Sequence, residues 1–349
     1  MAAKIRDGIQ AIFHGHRNLW IKIALAAMGI VILYVLSTVA LNRFLRSSNL
    51  RDRLSKQAAE KLNAECGFLP LSWSGLSVHS EGFAAHSARH KGITKVQARG
   101  VDARYGLLGL WHGTVVVHEL FIEHFQVASG EAAVGKISNK LSPLQEMKPS
   151  DESGLSFKVD VRRTKISSMD IFWGDKPDSL GGLKNVSATM QTAGRDLDVE
   201  GKGGALLEKG IPDLQIRQFH LYYSKPNLII KDSSLHFSKQ DEVSITGQLS
   251  FGDKSDVKLD LKFKDCPVAV FLPEKWRKKF SGEFSSQTKV EMMSSEMPTV
   301  EAEGDLGISH AKLQGMAAQH NLASLTHKPQ FEHLTFSKLA FDYSLKKIR

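Results

Sequence analysis

The residues that could do chemistry come first. His118-Glu119 begins like a zinc-hydrolase helix, in which two histidines four residues apart hold the metal and the glutamate acts as base. The next histidine is His124, two positions too far along. The segment 114–127 (TVVVHELFIEHFQV) also reads as a strand, where the two imidazoles would stand about 20 Å apart at ~3.4 Å per residue. His79, His86 and His90 form the densest histidine group, in a Ser/Gly/His-rich stretch that reads as solvated turns. Gly201-Lys202-Gly203-Gly204 lacks the third glycine of a dinucleotide fingerprint and opens no long helix. There is no G-x-S-x-G elbow, no Walker loop and no C-x-x-C. Cys66 and Cys266 fit either a disulfide in an oxidising compartment or two buried small apolar residues. Asn185-Val186-Ser187 is a sequon, meaningful only in a glycosylating secretory pathway. The carboxylates are spread along hydrophilic faces. The expectation is a protein that is not an enzyme and needs neither metal nor cofactor.

Charge narrows the partners. The chain of 349 residues carries a net +9, but residues 1–62 hold ten Lys/Arg against three acids, leaving 36 against 34 in the remainder. A nearly neutral body excludes a basic nucleic-acid-binding domain. The basic end surrounds 19 uncharged residues, 23–41 (IALAAMGIVILYVLSTVAL). As a helix at ~1.5 Å per residue it is about 28 Å long, close to the hydrocarbon thickness of a bilayer. Ile23, Leu25, Ile30, Val31, Ile32, Leu33, Leu36 and Leu41 would face lipid, with Trp20, Lys22, Arg43 and Arg46 at the interfaces. A cleaved signal peptide has a shorter apolar region and a small-x-small site, of which Thr38-Val39-Ala40 is a poor version, so an uncleaved anchor is expected. The reading is a cytoplasmic basic tail (1–22), a transmembrane helix (23–41), a juxtamembrane helix (42–66) and an extracytoplasmic domain (67–349).

The elements of that domain must be strands. Period-two alternation is carried by Leu155, Phe157, Val159 and Val161; by Val243, Ile245, Leu249 and Phe251; and by Val257, Leu259, Leu261 and Phe263. Met169/Ile171/Trp173, Val300/Ala302/Leu306/Ile308 and Leu339/Phe341/Tyr343/Leu345 repeat it. These are half-buried antiparallel strands with one wet face. Within 114–127, Leu120 and Ile122 fall out of phase with Val115, Val117, Phe121, Phe125 and Val127, which implies a bulge or burial on both faces. Beyond the N-terminal segments, helices are expected only at Leu107–Trp111, 267–279 and 312–325. So few helices cannot cover a large sheet. It must close as a sandwich or barrel, or curl around an apolar ligand.

The layout resembles the AsmA-like proteins of Gram-negative envelopes: basic N-terminus, one membrane helix, juxtamembrane helix, then strands. Three passages carry the likeness. Gly100-Val101-Asp102-Ala103 leads through Leu108 and Trp111-His112-Gly113-Thr114 into VVVHELFIEHFQV. Asp265-Cys266-Pro267 leads through Phe271-Leu272-Pro273 to Phe280-Ser281-Gly282. Gly304-Asp305-Leu306 and Leu313-Gln314-Gly315 precede Phe331, Leu334, Phe336 and Phe341-Asp342-Tyr343. The family's pattern runs on for further strands, so a sequence stopping at Lys347-Ile348-Arg349 is expected to be a short or truncated member. The resemblance implies an elongated, curled antiparallel sheet, a β-groove, on a single-pass anchor in a bacterial inner membrane. It implies a periplasmic protein that binds or conveys membrane lipid in outer-membrane biogenesis. The twelve alternating residues named from Leu155 to Phe263 would line the groove. The alternative is an anchored β scaffold for envelope protein partners, without lipid cargo.

Overall fold

Residues that alternate between apolar and polar satisfy their backbone groups only by pairing edge to edge, and here they pair into a single 17-stranded sheet. The computed structural model describes residues 28, 39, 42–43, 45–47, 52, 54–56, 58–60, 64–75, 77–87, 93–106, 114–137, 158–251, 256–293 and 299–348. The strands are β1 (Glu65–Phe68), β2 (Leu71–Ser74), β3 (Ser77–His86), β4 (Ile93–Gly106), β5 (Thr114–Ser129), β6 (Lys158–Val161), β7 (Arg163–Trp173), β8 (Gly181–Ala193), β9 (Asp196–Lys202), β10 (Ala205–Glu208), β11 (Ile211–Ser224), β12 (Asn227–His236), β13 (Glu242–Ser250), β14 (Asp256–Pro267), β15 (Phe280–Met293), β16 (Thr299–Gln314) and β17 (His333–Ile348).

The ladders follow the chain. β1 and β2 lie end to end along one edge of β3, and β4 lies along the other. β4 pairs with β5, β5 with both β6 and β7, and β7 with β8. β8 pairs with β9 and β10, both of which pair with β11. From β11 to β17 every strand pairs with its successor. Among the described residues β17 has one partner strand, β16. The ladders are antiparallel except where β5 meets β6 and β7, which run parallel to it. This corrects the expectation of antiparallel pairing throughout. The segment between β5 and β6 returns the chain to the end from which β5 began, as a parallel pair requires.

The described helices are few and short. The helix expected over 267–279 is instead the end of β14, a 3-10 turn (Val268–Val270) and one helical turn (Glu274–Arg277). The one expected over 312–325 begins later, at Ala317–Thr326, because β16 continues to Gln314. Residues 52, 54–56 and 58–60 are helical, and the strand that starts at Glu65 ends the expected juxtamembrane helix early. Leu107–Trp111 lies outside the described residues, as does 23–41 apart from Met28 and Val39, which are helical and exposed. No described helix is long and apolar enough to cross a membrane. Asn42 ties the N-terminal side to the sheet. Its Oδ1 accepts from Trp73 N–H at 2.6 Å and its Nδ2 donates to Trp73 C=O at 3.2 Å.

The main core joins Ala98, Ile122, Ile166, Met169, Val186, Leu214, Leu235, Val243 and Cys266, from strands across most of the sheet. Helical cover is marginal. Glu131–Val134 contributes Ala133 to a small cluster with Ala128, Ile137 and Phe172. The Phe271 ring stands edge-on to Phe237 and Phe284, each at 5.1 Å.

Strict alternation puts residues i and i+3 on opposite faces, yet four such pairs share a cluster: Ala98/Val101, Leu183/Val186, Phe263/Cys266 and Ile308/Ala311. In each pair the residue just before the second member has positive φ: Gly100 (59°), Asn185 (57°), Asp265 (52°) and His310 (52°). These residue types enter the left-handed region most readily. One left-handed residue reverses the strand's parity, so both halves of the strand turn an apolar side to the same core. Gly100 is also required sterically, because a Cβ there would lie 2.8 Å from Glu123 Cβ, which cannot swing away. The same kink accounts for the untidy phase of β5. Ile122 and Phe125 face Val101 and Ala98 from either side of it.

His310 tests this account, since its side chain is largely exposed and little else changes with it. His310→Gly should leave the urea midpoint unchanged or slightly higher. His310→Val should cost about 1–2 kcal/mol, the strain of a branched side chain in the left-handed region.

Candidate functional site

Strand register places one apolar residue per strand in line across the sheet. The line runs Leu345, Ala302, Val290, Leu259, Gly247, Ile230, Leu221, Val199, Met190, Thr164, Leu120, Ala103, Val78 and Trp73, from β17 to β2. Gly247 and Thr164 alone interrupt its apolar character. At Gly247 a Cβ would fall 2.1 Å from the Lys258 carbonyl, so the neighbouring strand admits no side chain there. Every member is half-buried except Leu345, which is 56% exposed. The adjoining positions Ile122, Ile166 and Ala188 are fully buried. A second line (Met292, Val257, Leu249, Leu228, Tyr223, Leu197) widens the stripe between β15 and β9. Its contour is roughly 60 Å at ~4.8 Å per strand. Monomeric proteins seldom leave so long an apolar strip accessible without using it.

The expected groove residues divide. Leu249, Val257 and Leu259 fall on the stripe, half-buried. Val243 is buried in the main core, with Ile245, Leu261 and Phe263 partly buried on the same face. Phe251 lies just past the end of β13, 55% exposed, its N–H bonded to the Pro226 carbonyl. Val159 is 53% exposed on β6 and Val161 half-buried, because β6 is a short strand parallel to the start of β5 and adjoins neither line. Leu155 and Phe157 lie outside the described residues, as do the anchor residues Ile23, Leu25, Ile30, Val31, Ile32, Leu33, Leu36 and Leu41. Sequence reading missed Leu221, Val199, Met190, Ile230 and Val290. The strands of Leu221, Met190, Ile230 and Val290 hold polar residues on both faces, and only pairing brings their apolar positions into line; β9 (Asp-Leu-Asp-Val-Glu-Gly-Lys) alternates plainly, a signal that could have found Val199.

The opposite face carries cross-strand ion pairs that no local spacing announced. His79 Nδ1 lies 3.0 Å from Asp102 Oδ1, and His124 Nε2 lies 3.4 Å from Asp170 Oδ2. The densest cluster spans β9, β11 and β12. His220 Nε2 is 2.7 Å from Asp198 Oδ1, and Lys231 Nζ is 3.1 Å from Asp198 Oδ2 while standing over the Tyr222 ring. Tyr222 donates to Asp196 Oδ2 at 2.8 Å. The donor atoms of Asp198, Glu200 and His220 lie within 4.8 Å of one another, beside a hollow of about 450 Å³ lined partly by Glu200 and His220. The Lys231 ammonium, also 3.4 Å from His220 Nε2, supplies the cation this cluster calls for.

Burial alone would raise the Asp198 carboxyl, but hydrogen bonds from Lys231 and His220 more than reverse this and lower it. Asp196 is lowered by hydrogen bonds from Ser224 and Tyr222, and its carboxylate in turn raises the Tyr222 hydroxyl. Cys66 and Cys266 are free and buried, so the disulfide alternative is not formed. Burial raises the Cys66 thiol; burial and the Asp241 charge push Cys266 up to about 11.

Compared with known proteins, the chain matches no family model, no curated protein and no solved structure.

Two outcomes follow from these ionisations. Carboxylates held below their unfolded values stabilise the fold above about pH 4 and lose that contribution as pH falls through their folded values. The urea midpoint should therefore drop on acidification below pH 4, and Asp198→Asn should make that acid limb shallower. At pH 8 only about a thousandth of Cys266 would be thiolate. Neither cysteine should react with Ellman's reagent in the folded protein, and both should react in guanidinium.

Proposed function

We propose that this chain is a single-pass inner-membrane protein whose periplasmic sheet binds lipid acyl chains along the half-buried stripe and conveys them in outer-membrane biogenesis. The observation that carries this reading is the continuity of the stripe from Trp73 to Leu345 with no described helix laid over it. We read the sheet as elongated and curled about that stripe, a β-groove of the AsmA-like kind. An acyl chain needs no specific polar recognition there, since each buried methylene contributes about 0.8 kcal/mol. The residues expected to matter most are Leu221, Leu259, Val290 and Met190. Two further features support the reading. The stripe begins at Trp73, which Asn42 holds by both backbone groups just beyond the apolar segment 23–41. The ion pairs described on the other face are satisfied among themselves.

The test exploits the alternation of a single strand. Benzoylphenylalanine is placed at Leu259, or at its outward-facing neighbours Lys258 and Asp260, in the full chain within a Gram-negative envelope. After irradiation, mass spectrometry should find phospholipid adducts at 259 at least tenfold more abundant than at 258 or 260. Adducts to proteins alone, with no lipid at 259, would replace the lipid reading with the cargo-free scaffold.

A further inference from the structure

The cations of the sheet domain are not spread evenly. Residues 267–280, around the connection from β14 to β15, and 310–333, around that from β16 to β17, hold Lys275, Arg277, Lys278, Lys279, Lys312 and Lys328 against only Glu274 and Glu332. The remainder of 63–349 holds more acids than bases. The two connections lie side by side at one end of the strands. Gln314 N–H donates to the Lys279 carbonyl at 2.8 Å, and Gln314 Nε2 to the Lys278 carbonyl at 3.1 Å. All six cations are exposed, and among the described residues none has an ion-pair partner. Lys165, Lys209, Lys231, Lys258 and Lys346, elsewhere on the sheet, each have one. Of the two acids, Glu332 already faces His320.

Large apolar side chains stand among these charges. Trp276 is 37% exposed, with the Lys279 ammonium over its ring at 6.0 Å from the centroid. The helix Ala317–Thr326 buries Gln319 and Ala323, four residues apart, and turns Leu322 and Leu325, three apart, outward. A helix packed for stability alone sets its leucines inward. Leu325 is 81% exposed, so it projects instead of lining a hollow. An acidic protein would have to supply a matching pocket for it, whereas a bilayer takes a projecting apolar side chain anywhere on its surface. Tryptophan at headgroup level, cations against lipid phosphates and leucine below them is the arrangement of proteins seated on anionic membranes. We propose that these two connections dock on an anionic lipid bilayer, with Lys275, Arg277, Lys278 and Lys279 against the phosphates and Trp276, Leu322 and Leu325 inserted beneath them. β14 to β17 lie at the far end of the ladder from β2, whose Trp73 is held by Asn42, so this contact is separate from any made by residues 23–41. It holds whether or not the stripe carries acyl chains.

The test uses the full chain in nanodiscs of phosphatidylcholine, to which vesicles are added. The protein should float with vesicles containing about 30% phosphatidylglycerol at least tenfold more than with phosphatidylcholine vesicles. Leu325→Cys, labelled with nitrobenzoxadiazole, reports insertion; the native thiols are buried and do not take the label. Its emission should rise at least threefold and shift to the blue on adding the anionic vesicles. The same label on Arg195→Cys, in the turn between β8 and β9 at the opposite end of the strands, should not respond. Lys275→Glu combined with Lys278→Glu should reduce flotation at least fivefold, with circular dichroism confirming that the variant is folded. Binding that ignores phosphatidylglycerol, binding without a response at 325, or flotation unchanged by the charge reversal would each overturn the proposal. Binding to polyglutamate but not to anionic vesicles would overturn it in favour of an acidic protein partner.

Discussion

The structure depends on one constraint: a wide sheet with an apolar face and, among the described residues, almost no helices to cover it. Hydrophobic burial is the dominant favourable term in folding, and a face that stays wet forfeits it. Here the face is divided. One flank, around Ile166, Val186, Leu235 and Val243, is fully buried. The other, from Trp73 to Ala302, is half-buried along its length. A uniformly buried face would make a dry core and a uniformly exposed one would aggregate. The gradient between them yields a strip of constant character.

The kinks create the buried flank. A strand that alternates strictly turns half its side chains outward along its full length. Gly100, Asn185, Asp265 and His310 each reverse that alternation once, so the same strand can add a residue to the core on both sides of the kink. Because these reversals fall on β4, β8, β14 and β16, the core is gathered from strands spread across the sheet. The half-buried line lies in the part of each strand that still alternates plainly.

The class of fold was legible in the sequence for the reason that period-two patterns seldom have another meaning. β13, β14, β16 and β17 were each visible as alternating apolar runs, and the hairpin between β13 and β14 as a Gly-Asp-Lys-Ser break. Two things were not legible. A parity reversal looks locally like noise, as Leu120 and Ile122 did, until the partner strand supplies Gly100. The order of strands in space also decides which alternating residues become neighbours. Val199 and Met190 gain their place on the stripe only through the ladders of β8, β9 and β11. The His–carboxylate pairs escaped notice for the same reason: Asp198 and His220 are 22 residues apart and meet only across strands.

Asn42 imitates a strand with its side chain, accepting from and donating to the backbone of Trp73 as a neighbouring peptide would. Val39, Asn42, Arg43 and Leu45 are all helical, so this one amide couples the azimuth of a helix to the edge of a sheet. Because an α-helix turns by about 100° per residue, this contact also fixes which side of the helical residues Asn42 and Arg43 is turned towards the sheet.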